Sequence, residues 1–231
     1  MQQRTEFVRT ADGSMEAFIA QPGVDPRPAV VLYHDIGGLS DATREMAKRV
    51  AAEGYCCAVP DLYYRLGKIV VDPDSKAAAV AAIRRAAAGS LQNWDTMSDT
   101  RALLDFLSAD GAVRAGPRGA VGYGAGGRFA VLAAGQFAGE VGAAASMFGT
   151  GLVTEAPDSP HLMLHKMQGA LYCAFAERDP MVPAAKIEEF SELVKQRCSA
   201  ESLIELHPGT RDEAAAQSWE RVFALFSRRL A

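Results

Sequence analysis

The chain has 231 residues, of which 49% are hydrophobic and 23% are charged. These proportions are ordinary for a soluble globular protein, and they exclude the disordered, collagen-like and fibrous classes. Asp and Glu number 28 against 24 Lys and Arg, for a net charge of −4. Because a nucleic-acid-binding protein needs a basic surface, we expect no nucleic-acid partner.

The cysteines and the apolar stretches bear on where the protein works. Cys56, Cys57, Cys173 and Cys198 show no C-x-x-C spacing, which favours buried, reduced thiols. The N-terminal segment lacks the apolar core of a signal peptide. The longest uncharged stretch, 141–154, is too short to cross a bilayer. We therefore expect a cytoplasmic protein with no membrane partner.

Strands and helices alternate along the predicted chain, and no internal repeat or linker divides it. From the N-terminus we predict strands at 6–9, 15–20 and 29–33, a helix at 40–54, a strand at 55–59, an irregular stretch at 62–74, helices at 75–87 and 94–108, a strand at 119–123, a helix at 128–137, a strand at 142–148, a loop at 150–160, a strand at 170–176, a helix at 184–197, a strand at 203–207 and a helix at 213–230. This order predicts an α/β fold, with a mostly parallel, twisted sheet that carries helices on both faces. We expect one domain, 1–231, that binds its ligand at the carboxyl ends of the strands.

The glycine-rich segment VGYGAGG follows a predicted strand and precedes a predicted helix. Gly122, Gly124 and Gly127 satisfy G-x-G-x-x-G, a spacing that lets backbone amides approach the pyrophosphate of a dinucleotide. The segment follows a middle strand, however, and Glu140 precedes the next strand, whereas a ribose-binding acid would follow it. Nucleotide binding by the turn at 122–127 therefore stays the weaker interpretation.

The same segment also fits a nucleophile elbow, in which a sharp strand-to-helix turn lifts one side chain above the sheet. The pattern would be Gly122-x-Gly124-x-Gly126, with the nucleophile at the centre. The central residue is Gly124, which has no side chain and cannot attack a substrate. The turn thus predicts the backbone of an elbow without its nucleophile.

Five segments in the same order resemble motifs of the dienelactone hydrolase family, which has the α/β-hydrolase fold. They are HDIGG at 34–38, PDLYYR at 60–65, VGYGAGG at 121–127, AERDPMVP at 176–183 and HPGTRD at 207–212. The resemblance covers nearly the whole chain. It implies one α/β-hydrolase domain and descent from hydrolases of small esters or lactones.

The resemblance also places the family's catalytic residues on this chain. The nucleophilic cysteine falls on Gly124, the histidine base falls on Asp212, and the triad acid matches Asp179. Acyl transfer by this route needs a nucleophile and a base. With both replaced, the resemblance implies a degraded triad, and we expect a pseudoenzyme. Gly124 should also relieve backbone strain of about 1–3 kcal/mol that an elbow nucleophile carries.

The remaining parts of the expected cleft are also carried over by resemblance. A loop glutamate that controls ionisation of the thiol falls on Asp35, which is one methylene shorter. The oxyanion donors would be the backbone N–H groups of Ile36 and Ala125, which need no particular side chain. With Tyr123 these residues form the predicted ligand cleft. We expect a small-molecule ligand, no cofactor or metal, and a monomer or small homo-oligomer.

An active hydrolase is the main alternative. By resemblance Asp35, Asp179 and Asp212 would converge on the elbow, where carboxylates could activate a water or hold a cation. A non-equivalent nucleophile is a further route, with Ser146, Cys57 and Cys173 as candidates; each is more simply interpreted as a buried core residue.

The four histidines have local interpretations. We expect His34 to hydrogen-bond within its loop and shape it. His207 is more simply a strand-end histidine than a displaced base. His161 and His165, at i and i+4, are interpreted as part of a solvated helix face and not as a metal site.

Overall fold

A computed structural model describes residues 1–67, 69, 75 and 77–230. The chain divides into two units, Met1–Ala115 and Gly116–Ala231. The strands of the first unit are β1 (Gln2–Thr10), β2 (Gly13–Gln21), β3 (Ala29–Tyr33) and β4 (Cys56–Pro60). They form an antiparallel hairpin and a parallel strand pair, in the order β1-β2-β4-β3. Both β3 and β4 are buried along their whole length, as their continuous apolar sequences predict.

Three helices complete the first unit. They are α1 (Asp41–Ala52), α2 (Ala78–Ser90) and α3 (Asn93–Ala109), and a 3₁₀ turn covers Tyr64–Leu66. Ser40 caps α1, because its side-chain oxygen accepts a hydrogen bond from the Thr43 N–H. Gly54, at φ +99°, follows the end of α1 and lets the chain reverse into β4.

The second unit is a parallel α/β unit. Its strands are β5 (Arg118–Tyr123), β6 (Val141–Met147), β7 (Ala170–Ala176) and β8 (Leu203–His207). They follow the order β5-β6-β7-β8, and every neighbouring pair is parallel. The helices are α4 (Gly127–Gln136), α5 (Ala184–Arg197) and α6 (Arg211–Arg229), with 3₁₀ turns at Gly124–Gly126 and Pro160–Lys166.

The last helix, α6, shows why its segment folds as it does. Thr210 and Glu213 form a capping box, in which each side chain bonds the backbone of the other residue. Trp219, Val222 and Phe226 recur at spacings of three and four, and all three are buried. This apolar stripe fixes the face that α6 presents to its unit.

The α/β fold class with a mostly parallel sheet is confirmed, and most predicted elements are found within three residues of their expected ends. The 3₁₀ turn at Pro160–Lys166 was not predicted, and α2 lies three residues later than expected. Part of the stretch predicted as irregular, 62–74, and one position in the predicted helix 75–87 lie outside the described residues. The single-domain assignment for 1–231 stays a prediction. In the described part of the chain, no helix has the length and apolar character that a bilayer span requires.

Candidate active site

The sharp turn after β5 has the strand-turn-helix geometry of an elbow. β5 ends at Tyr123, a 3₁₀ turn follows, and α4 begins at Gly127. Gly124 lies at the apex with φ +55°, a left-handed conformation that costs a residue with a Cβ about 1–2 kcal/mol. Its carbonyl oxygen accepts a 3.2 Å hydrogen bond from the Thr150 N–H. The apex is thereby tied to the loop after β6.

Two glycines are required by the internal packing of this turn. A Cβ on Gly122 would collide with the Gly126 carbonyl group and lie 2.7 Å from the Gly127 nitrogen. A Cβ on Gly127 would collide with Ser146 Oγ and lie 2.7 Å from the Gly149 Cα. Because these contacts are internal, the glycine pattern needs no bound phosphate to account for it. This disfavours nucleotide binding by the turn.

Asp179, the predicted triad acid, lies in the loop after β7 and is engaged by an arginine. Arg211 Nε donates to Asp179 Oδ2 at 2.7 Å, and Arg211 Nη2 donates to Oδ1 at 3.0 Å. The Met181 N–H donates to Oδ1 at 2.9 Å. The Asp179 side chain is only 2% exposed, so this bidentate pair supplies the counter-charge that a buried carboxylate needs.

Asp212, predicted to replace the family's base, is an exposed residue in the first turn of α6. A carboxylate is favourable there because it faces the positive end of the helix dipole. The N-cap is Thr210 and not Asp212. Hydrogen bonds from the Thr210 backbone and from Arg178 lower the pKa of the neighbouring Glu213 to about 2. The start of α6 thus has a complete local explanation that requires no catalytic role.

The loop after β3 is held by hydrogen bonds at both of its ends. His34 is fully buried; its Nδ1 lies 2.7 Å from the Asp35 carbonyl oxygen, and its Nε2 accepts a 3.0 Å bond from the Leu62 N–H. Burial lowers the pKa of His34 to about 4, so the ring is neutral at pH 7. Tyr63 donates its hydroxyl to the Ile36 carbonyl oxygen at 3.1 Å. His34 therefore shapes this loop through local bonds.

The residues predicted to line the ligand cleft have distinct surroundings. The Asp35 carboxylate accepts a hydrogen bond from the Ile36 N–H, which was one of the two expected oxyanion donors. Ala125 is half-buried in the 3₁₀ turn of the elbow. Tyr123 is half-buried, and its ring packs edge-on against Phe148 with 5.4 Å between centroids.

The other candidate nucleophiles lie inside the protein. Ser146, Cys57 and Cys173 are fully buried. Burial raises the pKa of both thiols well above its usual range, which keeps them protonated and unreactive. Ser146 lies beside the Cα atoms of Gly127 and Gly149. The geometry therefore gives none of these side chains access to a substrate.

The remaining histidines also have local partners or solvent. His207 Nε2 lies 3.3 Å from both Tyr172 Oη and Ser218 Oγ. His161 bonds a neighbouring serine, and His165 is exposed. Within residues 1–67, 69, 75 and 77–230, no three His, Cys, Asp or Glu side chains are placed to share a metal ion.

Sequence reasoning missed two ion pairs in which the carboxylate is buried and the arginine is partly exposed. One is Arg211–Asp179; its signal was the arginine that directly precedes the predicted base position. The other joins Arg65, in the 60–65 motif, to Asp99 of α3 through bonds of 2.7 and 2.9 Å. The Asp99 side chain is 2% exposed, and Tyr64 donates its hydroxyl to it at 2.9 Å. Both pairs link segments more than thirty residues apart in sequence.

A model of the dienelactone hydrolase family matches residues 15–230. The chain belongs to the dienelactone hydrolase family. Among its relatives, a Synechocystis protein provisionally named carboxymethylenebutenolidase is 26% identical over 92% of this chain and 91% of its own length. The carboxymethylenebutenolidase of Pseudomonas putida is 26% identical over 87% of this chain and 80% of its own.

A solved structure shows the same fold. The Klebsiella pneumoniae protein provisionally named dienelactone hydrolase superposes with a TM-score of 0.80, covers 98% of both chains and is 19% identical. This member of the dienelactone hydrolase family therefore has the α/β-hydrolase fold and hydrolase-type relatives.

Proposed function

We propose that this dienelactone hydrolase family member binds a small molecule and does not carry out acyl transfer through a nucleophile, base and acid. The observation that carries the proposal is Gly124 at the apex of the elbow, at φ +55°. Covalent catalysis needs an oxygen or sulfur atom at that point. The turn retains the backbone geometry and lacks the reacting atom.

The state of the acid supports the proposal. In a triad the acid accepts a hydrogen bond from the base and orients it. Both carboxylate oxygens of Asp179 are instead bonded to Arg211. The guanidinium thus occupies lone pairs of both oxygens to which a base or a water would otherwise bond. This disfavours the alternative in which carboxylates activate a water.

The oxyanion donors support it as well. An oxyanion hole stabilises developing negative charge through donors that are free to receive it. The Ile36 N–H already donates to the Asp35 carboxylate. A carboxylate in that place would also repel an oxyanion.

A turnover assay with purified protein tests the proposal. We expect hydrolysis of p-nitrophenyl acetate and of a dienelactone to stay at the buffer rate. Asp179→Asn and Asp212→Asn serve as controls for the water-activating alternative. Wild-type turnover that is lost in both variants would overturn the binding-only function.

Rebuilding the triad sharpens the test. Gly124→Cys alone should stay inactive, because no base ionises the thiol. Gly124→Cys with Asp212→His should gain slow esterase activity, and adding Arg211→Gln should raise kcat/KM further, because Asp179 can then orient the new histidine. A general base contributes about 10²–10⁴-fold, so we expect at least a tenfold rise from the single to the triple variant. Equal rates in all three would show that 212 is not the base position.

A further inference from the structure

A cavity of about 130 Å³ lies in the second unit, between the loop after β6 and the loop after β7. Its apolar wall is formed by Leu152 and Val153 from the first loop, Val182 from the second, Phe175 of β7 and Phe190 of α5. The lining also includes Gly149, Gly151 and Lys186 and is about as polar as it is apolar, so it suits a ligand with both an apolar and a polar part.

Both loops that form the cavity are attached to positions that correspond to the family's triad. The Thr150 N–H donates to the Gly124 carbonyl oxygen, and Gly149 and Gly151 on either side line the cavity. In the other loop the Val182 N–H donates to the Asp179 carbonyl oxygen at 3.4 Å. The cavity therefore adjoins the elbow loop and the acid loop within the same unit.

The size and charge of the cavity define the class of ligand. A cavity of about 150 Å³ with an apolar lining is large enough for benzene, so about 130 Å³ suits a phenyl ring or a short branched alkyl group. Among the described residues that line it, Lys186 alone carries a charge. Lys186 is 43% exposed and pairs with Glu189 at 2.8 Å. An exposed pair of this kind contributes little to stability, so the ammonium can turn to a ligand.

We propose that this cavity binds a monocarboxylate with a compact apolar group, such as benzoate, with the ring inside and the carboxylate at Lys186. The proposal deepens the function proposed above, on which it rests, by naming the ligand class and its place. Apolar burial of the ring supplies part of the affinity, and Lys186 supplies the preference for an anion.

The test is a titration of the full-length protein with benzoate and with benzyl alcohol, followed through backbone amide NMR shifts. We expect benzoate to shift the amides of Gly149, Gly151 and Val182 first. Val182→Phe, which fills the cavity, should weaken benzoate binding at least tenfold. If Val182→Phe does not fold, Val153→Phe takes its place. Benzoate binding that a folded filling variant leaves unchanged would overturn the proposed site.

A matched pair of lysines tests the anion preference. Lys186 and Lys195 both lie on α5, and both pair with a glutamate three residues away. Lys186→Gln should weaken benzoate binding about threefold and leave benzyl alcohol unchanged, while Lys195→Gln should affect neither. Equal effects of the two lysine variants would overturn the role of Lys186. Absence of benzoate binding would overturn the cavity proposal alone, since the turnover assay decides the broader function independently.

Discussion

His34 and Asp179 each lie just after a buried parallel strand, one in each unit, and each has a buried side chain. They satisfy burial in opposite ways. His34 is neutral, and both ring nitrogens are bonded to the backbone. Asp179 is held by the guanidinium of Arg211. A buried neutral ring needs only hydrogen bonds, whereas a buried carboxylate also needs a counter-charge.

This difference shows that a retained residue type does not fix a residue's role. The loop after β3 resembles the family motif, and its histidine works as a local brace. The loop after β7 also carries the predicted acid, yet Asp179 is paired with Arg211, one residue before the predicted base position. A motif match at 179 therefore identifies the fold more securely than it identifies catalysis.

The largest expected effect comes from removing the counter-charge. Arg211→Ala leaves the Asp179 carboxylate buried without its guanidinium, and breaking such a pair from one side costs about 3–5 kcal/mol. We expect the free energy of unfolding at pH 7, from urea denaturation, to fall by about 4 kcal/mol.

Arg178→Ala is the matched control. Arg178 pairs with Glu213, and both side chains are exposed, at 65% and 58%. Losing this exposed pair should leave the free energy of unfolding nearly unchanged. If both variants lose the same stability, the charge compensation assigned to Arg211 is wrong.

The ends of helices and strands could be predicted where the sequence marks them clearly. β3, β7, α5 and β8 have the predicted ends, because continuous apolar runs or sharp turn residues bound them. By contrast, α2 is Ala-rich with no side-chain cap, so propensity alone did not fix its start. The absence of a side chain at the apex, Gly124, could be predicted because the elbow is one continuous stretch of sequence.

The Asp179–Arg211 ion pair could not be predicted, because its partners lie 32 residues apart in sequence, one in a loop and one at the start of α6. No periodic pattern specifies which loop side chains meet; the packing of β7, β8 and α6 decides it. The hydrogen bond from the Ile36 N–H to the Asp35 carboxylate was hidden for a related reason, since it depends on loop dihedral angles that the sequence does not specify.

A slightly smaller loss of stability is expected when the pH is lowered, because of the buried His34 ring. Its pKa falls from an ordinary 6.5 to about 4 in the folded protein, so between these pH values the unfolded chain binds a proton that the folded protein does not. The stability that depends on the neutral His34 ring is therefore fully present above pH 6.5 and is lost as the pH falls towards 4, by about 3 kcal/mol in total. When the pH is lowered from 7 through 5.5 to 4, the free energy of unfolding measured by urea denaturation should fall by about 3 kcal/mol less in His34→Gln than in the wild type.

His165→Gln provides the comparison for this titration. His165 is exposed in the 3₁₀ turn Pro160–Lys166, so its replacement should leave the pH dependence of the wild type intact. An identical pH dependence in His34→Gln and the wild type would refute the burial of a neutral ring as its source.

The smallest effect concerns the apex itself. Gly124 has φ +55°, so Gly124→Ala should lower the free energy of unfolding by about 1 kcal/mol through backbone strain. Gly139→Ala is the control, because a Cβ there meets nothing within 4 Å and φ is not left-handed; it should be neutral or slightly stabilising. A Gly124→Ala protein as stable as the Gly139→Ala protein would mean that the apex is unstrained. The expected relief of backbone strain by glycine at this turn would then be wrong.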